Sequence, residues 1–324
     1  MPSSKRMRED MDEAPPSERT VARPWTRARV ALTSPYLLLA LAVLFWSGNF
    51  IVGRAAREVI PPIPFNFWRW MIALAILLPF AWTGLWRHRH VIRREWRILA
   101  ALGLSGLTVF HSAVYIGLAH TEALNGFVYF ACSPLFFVLI SWLMFRERIT
   151  VAQALGIVAS ITGASVVIAR GDLEVLAGLR LAVGDLWLLG AVVLWALYSV
   201  LLRRRPAELP PLVLLAAIVL FALAFLIPFY ILELTSGRTV ELGPESLLGL
   251  VYVSVFASVI AYIFWNRGVA EVGPNPAGVM IQLMPVFGAV LAVIFLDERI
   301  AAYHWLGAAL VLAGILLASR RRRF

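Results

Sequence analysis

The sequence predicts an all-α integral membrane protein: ten transmembrane helices arranged as two five-helix inverted repeats. Three observations carry that prediction. Hydrophobic residues make up 61% of the 324 and charged residues 15%, with a mean hydropathy of +0.82, where a soluble domain has roughly 45–50% apolar and about 25% charged residues. The apolar residues fall into ten segments of membrane length. The second half of the chain also repeats the first at a shift of 151 residues.

Residues 1–34 are charged and Pro-bearing, without an apolar stretch followed by a cleavage site. They read as a solvated cytoplasmic tail rather than a signal peptide. From Pro35 the apolar segments run approximately 35–53, 62–82, 98–119, 122–145, 151–169, 182–202, 209–233, 246–267, 274–296 and 301–319. Each suits a hydrocarbon core about 30 Å thick, which needs roughly 20 residues of helix. Lipid leaves only helices or a closed barrel as spanning structures. Unbroken apolar runs such as Leu212 to Tyr230 are helical, because barrel strands alternate every second residue.

Arginines set the orientation. With the N-terminus inside, the two tails and the inner loops hold 22 basic residues and the outer loops 6, with Arg69 left within the second span. The positive-inside rule then places both termini in the cytoplasm of a multi-pass protein of the cell (inner) membrane. The net charge of +10 does not point to nucleic acid as a partner, since the basic residues lie in short loops and tails. A single cysteine, Cys132, excludes an intramolecular disulfide and a Cys-based zinc cage. Neither a metal nor a cofactor is expected, and the expected partners are the bilayer and a small-molecule substrate.

The repeat divides the chain into units 35–170 and 181–320. At the 151-residue shift, Phe145-Arg146-Glu147-Arg148-Ile149 falls on Leu296-Asp297-Glu298-Arg299-Ile300, Pro134 on Pro285, Gly117 on Gly268, Gly156 on Gly307 and Gly163 on Gly314. At a shift of 149, Trp46 falls on Trp195. Five spans per unit is an odd number, so the second copy enters the membrane upside down. Inverted repeats of this kind are the architecture of secondary transporters, with the substrate site near mid-membrane between the halves.

Trp46-Ser47-Gly48-Asn49-Phe50 resembles the WGxNF signature of EamA-type drug/metabolite transporters. So does Arg69 in a second span entered through Pro61-Pro62-Ile63-Pro64, and so do the Pro-centred fourth and ninth helices, each followed by Glu-Arg-Ile and a glycine-bearing last helix. The resemblance covers roughly residues 35–320. It implies a ten-helix carrier of small metabolites, often an amino-acid exporter, with helices one to four and six to nine around the cavity and five and ten outside it. Ser47 stands where the family often has Gly. Trp195 is followed by Ala196-Leu197-Tyr198, so the second copy lacks the asparagine of the signature.

Polar side chains deep in a span face protein or water and so mark a cavity. Helical spacing gathers His111 and Tyr115 on the third span, Tyr129 on the fourth, Trp187, Trp195 and Tyr198 on the sixth, and Tyr262, Trp265 and Asn266 on the eighth. With Trp46 and Asn49 these predict a polar-aromatic chamber. Trp68, Trp70, Trp82, Trp86 and Trp96 read as interfacial anchors. Arg69 either snorkels outward or pins a carbonyl. Pro134 and Pro285 remove helical hydrogen bonds at matching depths, and Gly126 and Gly278 lie upstream of them. These four are the predicted hinges.

No Asp or Glu lies mid-span, so a cationic drug would find no buried counter-charge. Such a chamber suits a neutral or zwitterionic solute, most simply an amino acid, including aromatic ones, and the expected movement is export by alternating access. Uncharged drugs, nucleobases and sugars remain alternatives. An intramembrane serine enzyme, suggested by Gly103-Leu104-Ser105-Gly106 near His111, is disfavoured. Six residues of helix set Ser105 and His111 about 120° and roughly 9 Å apart.

Overall fold

The computed structural model describes residues 34–56, 60–120, 129–169, 172, 174, 183–235, 243–296 and 302–318. No strand occurs among them, and the helices from Pro35 onward form one compact unit. The helices are α1 (Pro35–Ala56), α2 (Pro62–Arg87), α3 (Trp96–His120), α4 (Ser133–Phe145), α5 (Val151–Ile168), α6 (Val183–Leu201) and α7 (Pro211–Thr235). Three consecutive pieces, Pro244–Tyr252, Val253–Ile260 and Ala261–Val272, make α8. A pair, Pro274–Met280 and Leu283–Leu296, makes α9, and Ala302–Ala318 is α10. Six of the described helices are long and apolar enough to cross a membrane.

Local chemistry explains several boundaries. α2 starts with proline in its first turn, where the missing N–H would have had no partner. Thr150 and Gln153 cap α5 reciprocally: the Thr150 hydroxyl accepts from Gln153 N at 3.1 Å and the Gln153 amide oxygen from Thr150 N at 2.9 Å. α4 ends at Arg146, whose φ of 55° turns the chain out of the helix.

Two irregularities recur at the repeat spacing. Leu104–Val109 in α3 and Val253–Ile260 in α8 are π-helical; 104 plus 151 is 255, inside the second segment. Such wide turns are rare and concentrate at functional sites. The fourth and ninth helices are interrupted likewise. A turn at Cys132 precedes α4, and a turn at Ile281-Gln282 splits α9. Short i→i+3 bonds, Cys132 N to Tyr129 O at 3.1 Å and Gln282 N to Val279 O at 3.1 Å, tighten the chain there. Pro134 and Pro285 thus lie in the first turn after a break rather than at the middle of a smooth bend. The Gln282 amide crosses to the Ala131 carbonyl at 2.6 Å, joining the two breaks.

Around the centre, α2 packs on α7, α3 on α6, α1 on α8 and α9, and α6 on α4. α5 lies against α10. Their seam is made by glycines: a Cβ on Gly156 would meet the Gly314 carbonyl, and one on Gly163 the Gly307 carbonyl. Gly156 corresponds to Gly307 and Gly163 to Gly314 under the 151-residue shift, so these two contacts exchange with each other. The Arg94–Glu208 pair at 2.7 Å and the Arg203–Glu147 pair at 2.5 Å tie the connections after α2, α4 and α6 together at one end.

The outer surface is apolar, with Phe80, Leu186, Leu248 and Leu316 exposed, as lipid contact requires. Trp68, Trp82, Trp86 and Trp96 are exposed as well. Trp70 is not: it is wholly buried against His111 and Tyr262. The interfacial reading of Trp70 fails because it follows Trp68 by two residues, about 200° around the helix.

Candidate functional site at the centre

Trp46, Trp195, Tyr198, Tyr262 and Trp265 meet on the axis of the unit, all buried. Trp195 stands edge-on to Trp46 at 4.8 Å between ring centroids, stacks on Tyr198 at 5.2 Å and lies 5.2 Å from Trp265. Tyr262 faces His111 at 6.0 Å, and His111 lies 6.1 Å from Tyr115. Pairs at these separations and tilts are favourable beyond their buried area, by about 0.5–1.5 kcal/mol each. Between the rings remains a cavity of about 20 Å³, lined among others by Trp46, Asn49, Phe110, His111, Trp195 and Met284. That is room for about one water. The residues expected to line an open chamber therefore do converge, but they fill the space themselves.

The π turns supply acceptors to this cluster. Trp46 Nε1 donates to Ala257 O at 2.9 Å, and the Tyr262 hydroxyl donates to Gly106 O at 2.7 Å. Gly106 and Ala257 are equivalent under the 151-residue shift, and each bond runs from one half to the other. Two Tyr–Asn pairs are also related by the repeat, each within its own half. Tyr115 donates to Asn49 Oδ1 at 3.0 Å, and Tyr198 donates to Asn266 Oδ1 at 2.7 Å. Tyr115 corresponds to Asn266, and Asn49 to Tyr198 at the 149-residue shift. The asparagine missing from the second signature thus stands on the facing helix, and the pair survives with its partners exchanged.

Arg69 is fully buried and pins a carbonyl. Its Nη2 donates to Ala257 O at 2.9 Å, Nε to the Ser258 hydroxyl at 2.5 Å, and Nη1 to the Tyr115 hydroxyl at 2.7 Å and Asn49 Oδ1 at 3.5 Å. Among the described residues no carboxylate pairs with it.

Other expected residues stand elsewhere. Tyr129 is half-buried, and its neighbour Phe130 lines the cavity instead; the turn at Cys132 shifts the face that the fourth helix presents. Trp187 is exposed, 43% of its surface being open, and belongs to the outer surface. Gly278 packs against the Phe137 ring of α4, while Gly126 lies outside the described residues. The Ser105 hydroxyl donates to Ala101 O at 2.6 Å and the His111 ring faces Leu107 O at 3.3 Å. The two make no nucleophile–base pair.

Sequence reasoning passed over Gln282 and Asn66. Gln282 and Asn66 are buried polar side chains within apolar spans, the signal that should have found them. Asn66 donates to Leu107 O, Thr108 O and Ser112 Oγ at 3.0–3.2 Å, holding the π turn of α3 against α2.

A second, wider cavity of about 670 Å³ opens where the connections after α4, α6 and α8 gather. Tyr36, Glu147, Arg148, Arg203, Arg205 and Glu271 are in its wall, with Val269 one turn from Asn266.

The family model of the EamA-like transporters matches the chain twice, over residues 33–169 and 182–320. An "Uncharacterized transporter" of Archaeoglobus fulgidus is 28% identical over 292 residues, 89% of this chain and 98% of that protein. The "Uncharacterized transporter YyaM" of Bacillus subtilis is 26% identical over 287 residues, 88% and 93% respectively. A solved crystal structure superposes with a TM-score of 0.71 at 24% identity, covering 88% of this chain and 96% of that one; it shares the fold.

Proposed function

The chain belongs to the EamA-like transporter family, a family of membrane transporters, and from that premise we propose that it is a ten-helix carrier of small neutral or zwitterionic metabolites, most simply amino acids. Two oppositely inserted units, 35–170 and 181–320, would enclose the solute at mid-membrane and move it by alternating access, outward from the cytoplasm. The observation that carries this reading is the exchange of contacts between the halves at the repeat spacing, Gly156–Gly314 for Gly163–Gly307. Contacts that swap in this way are what a two-fold axis between inverted copies requires. In this arrangement the Arg-lined cavity faces the cytoplasm and the aromatic cluster closes the path beyond it.

The substrate class follows from the lining. The aromatic faces of Trp46, Phe110 and Trp195 accept an apolar or aromatic side chain, and the Asn49 amide, with the Tyr115 hydroxyl bonded to it, meets polar ends. The decisive experiment loads proteoliposomes with a panel of amino acids and follows efflux. Saturable efflux accelerated by the same solute outside is expected of a carrier; flux linear in concentration without counterflow would sink the reading.

The two Tyr–Asn pairs act as opposed latches, Tyr198–Asn266 on the vestibule side and Tyr115–Asn49 on the far side. A cysteine reporter placed by Val269→Cys on a Cys132→Ser background reads them. Tyr198→Phe should speed its reaction with a soluble maleimide and Tyr115→Phe should slow it, each about fivefold for one hydrogen bond worth roughly 1 kcal/mol. Equal shifts in the same direction would contradict opposed latches.

A further inference from the structure

We infer that Arg69 is the anchor for a carboxylate: it reads the acidic group of the solute from the outer half of the chamber. The inference rests on the carrier reading but concerns a single contact. A guanidinium keeps its charge in proteins and brings five donors. In the core of a membrane protein such a charge is costly unless paired, and Arg69 has only neutral partners among the described residues: Ser258, Tyr115, Asn49, the Ala257 carbonyl and the face of the Trp70 ring, 5.2 Å from the guanidinium carbon. Nothing there cancels its charge.

The four bonds are unequal. Those to Ser258, Tyr115 and Ala257 O are 2.5–2.9 Å long and fix the guanidinium against α3 and α8. The contact to Asn49 Oδ1, at 3.5 Å, is the weakest, and Asn49 is the partner that lines the central cavity. The replaceable bond therefore faces the space where a solute would sit. A carboxylate displacing the Asn49 oxygen would gain a charge-assisted bond in place of a stretched neutral one. The repeat sharpens the assignment, because the position equivalent to Arg69 at the 151-residue shift is Leu220, which is exposed on the outer surface. Only one half of the pseudo-symmetric site carries this charge, so an acid would bind in one orientation, acidic group toward the Asn49–Tyr115 side and apolar body among the aromatic rings.

Benzoate and benzamide separate charge from shape. Quenching of tryptophan fluorescence in the purified full-length protein reports their binding, since Trp46 lines the cavity. Benzoate should bind about tenfold or more tightly than benzamide, the scale of a hydrogen bond to a charged group. Arg69→Gln should bring the two within about twofold, and Arg69→Lys should keep part of the difference. Asn49→Asp, which installs a carboxylate beside an intact Arg69, should also erase the preference, and it decides the matter if Arg69→Gln does not fold. A wild-type protein indifferent to the charge, or an Arg69→Gln or Asn49→Asp protein that retains the preference, overturns the inference; a purely structural Arg69 would leave the ratio unmoved. The carrier reading fails separately, on the form of flux in proteoliposomes.

Discussion

Trp195→Ala is expected to lower the stability of the protein in detergent by about 3–5 kcal/mol, the cost of emptying a fully packed aromatic site. Trp195 touches Trp46, Phe110, Tyr198, Tyr262 and Trp265 at ring separations of 4.8–5.7 Å, so no single neighbour can close the gap. The cavity beside it, about 20 Å³, would grow by most of an indole. Transport should suffer independently of stability: half-saturation should move to higher concentration for solutes with aromatic side chains, because a stacking face is gone. Trp195→Phe should restore part of both. Denaturation in detergent and efflux from proteoliposomes check the two effects, and a Trp195→Ala protein unchanged in both would remove the residue from the site.

Gly163→Leu should be as damaging for a different reason. A Cβ at this position would sit 2.7 Å from the Gly307 carbonyl oxygen and 2.8 Å from Val311 N. Those are main-chain atoms of α10, which cannot rotate away as a side chain would, so α5 and α10 must separate along their seam. In lipid this loss has no hydrophobic compensation, because helix association there rests on close packing. The expected cost is about 3 kcal/mol or more, at or beyond the upper end of overpacking penalties. Gly190→Leu is the control: a Cβ there meets nothing within 4 Å, and the change should stay within about 0.5 kcal/mol. Thermal unfolding of the two variants in one detergent compares them. Equal midpoints would mean that the seam does not hold the two helices.

Much of the fold was legible in the sequence because a bilayer asks simple questions of it. Length and polarity decide whether a segment can cross, and the apolar runs of α2, α6 and α7 answer through composition alone. The glycine seam was legible too, since Gly156, Gly163, Gly307 and Gly314 keep their spacing in both halves and small side chains serve close helix contact. The site was read less well. Helical periodicity at 100° per residue brought His111, Tyr115, Trp195 and Tyr262 to the centre, yet it placed Trp187 inside, and nearness to a span end put Trp70 at the interface. A constant angle also gives no warning of the break at Cys132, beside which Phe130 lines the cavity in place of Tyr129.

Arg69 shows the limit most clearly. Its presence in a span marked it, but two opposite fates, outward to the headgroups or inward to a carbonyl, fitted the sequence equally. The deciding atoms belong to α1, α3 and α8, as many as 189 residues away along the chain. The same holds for the second asparagine. Reading along α6 finds it absent, and only the packing of α6 on α8 returns it as Asn266.

Sequence alone determined the all-helical membrane class, because every spanning stretch must satisfy its own main chain where water is excluded, and that demand is written in local composition. Tertiary structure decided which carbonyls the π turns release, which rings fill the centre, and where the buried guanidinium rests. Those depend on distances between segments far apart in the chain, fixed only when the helices have packed.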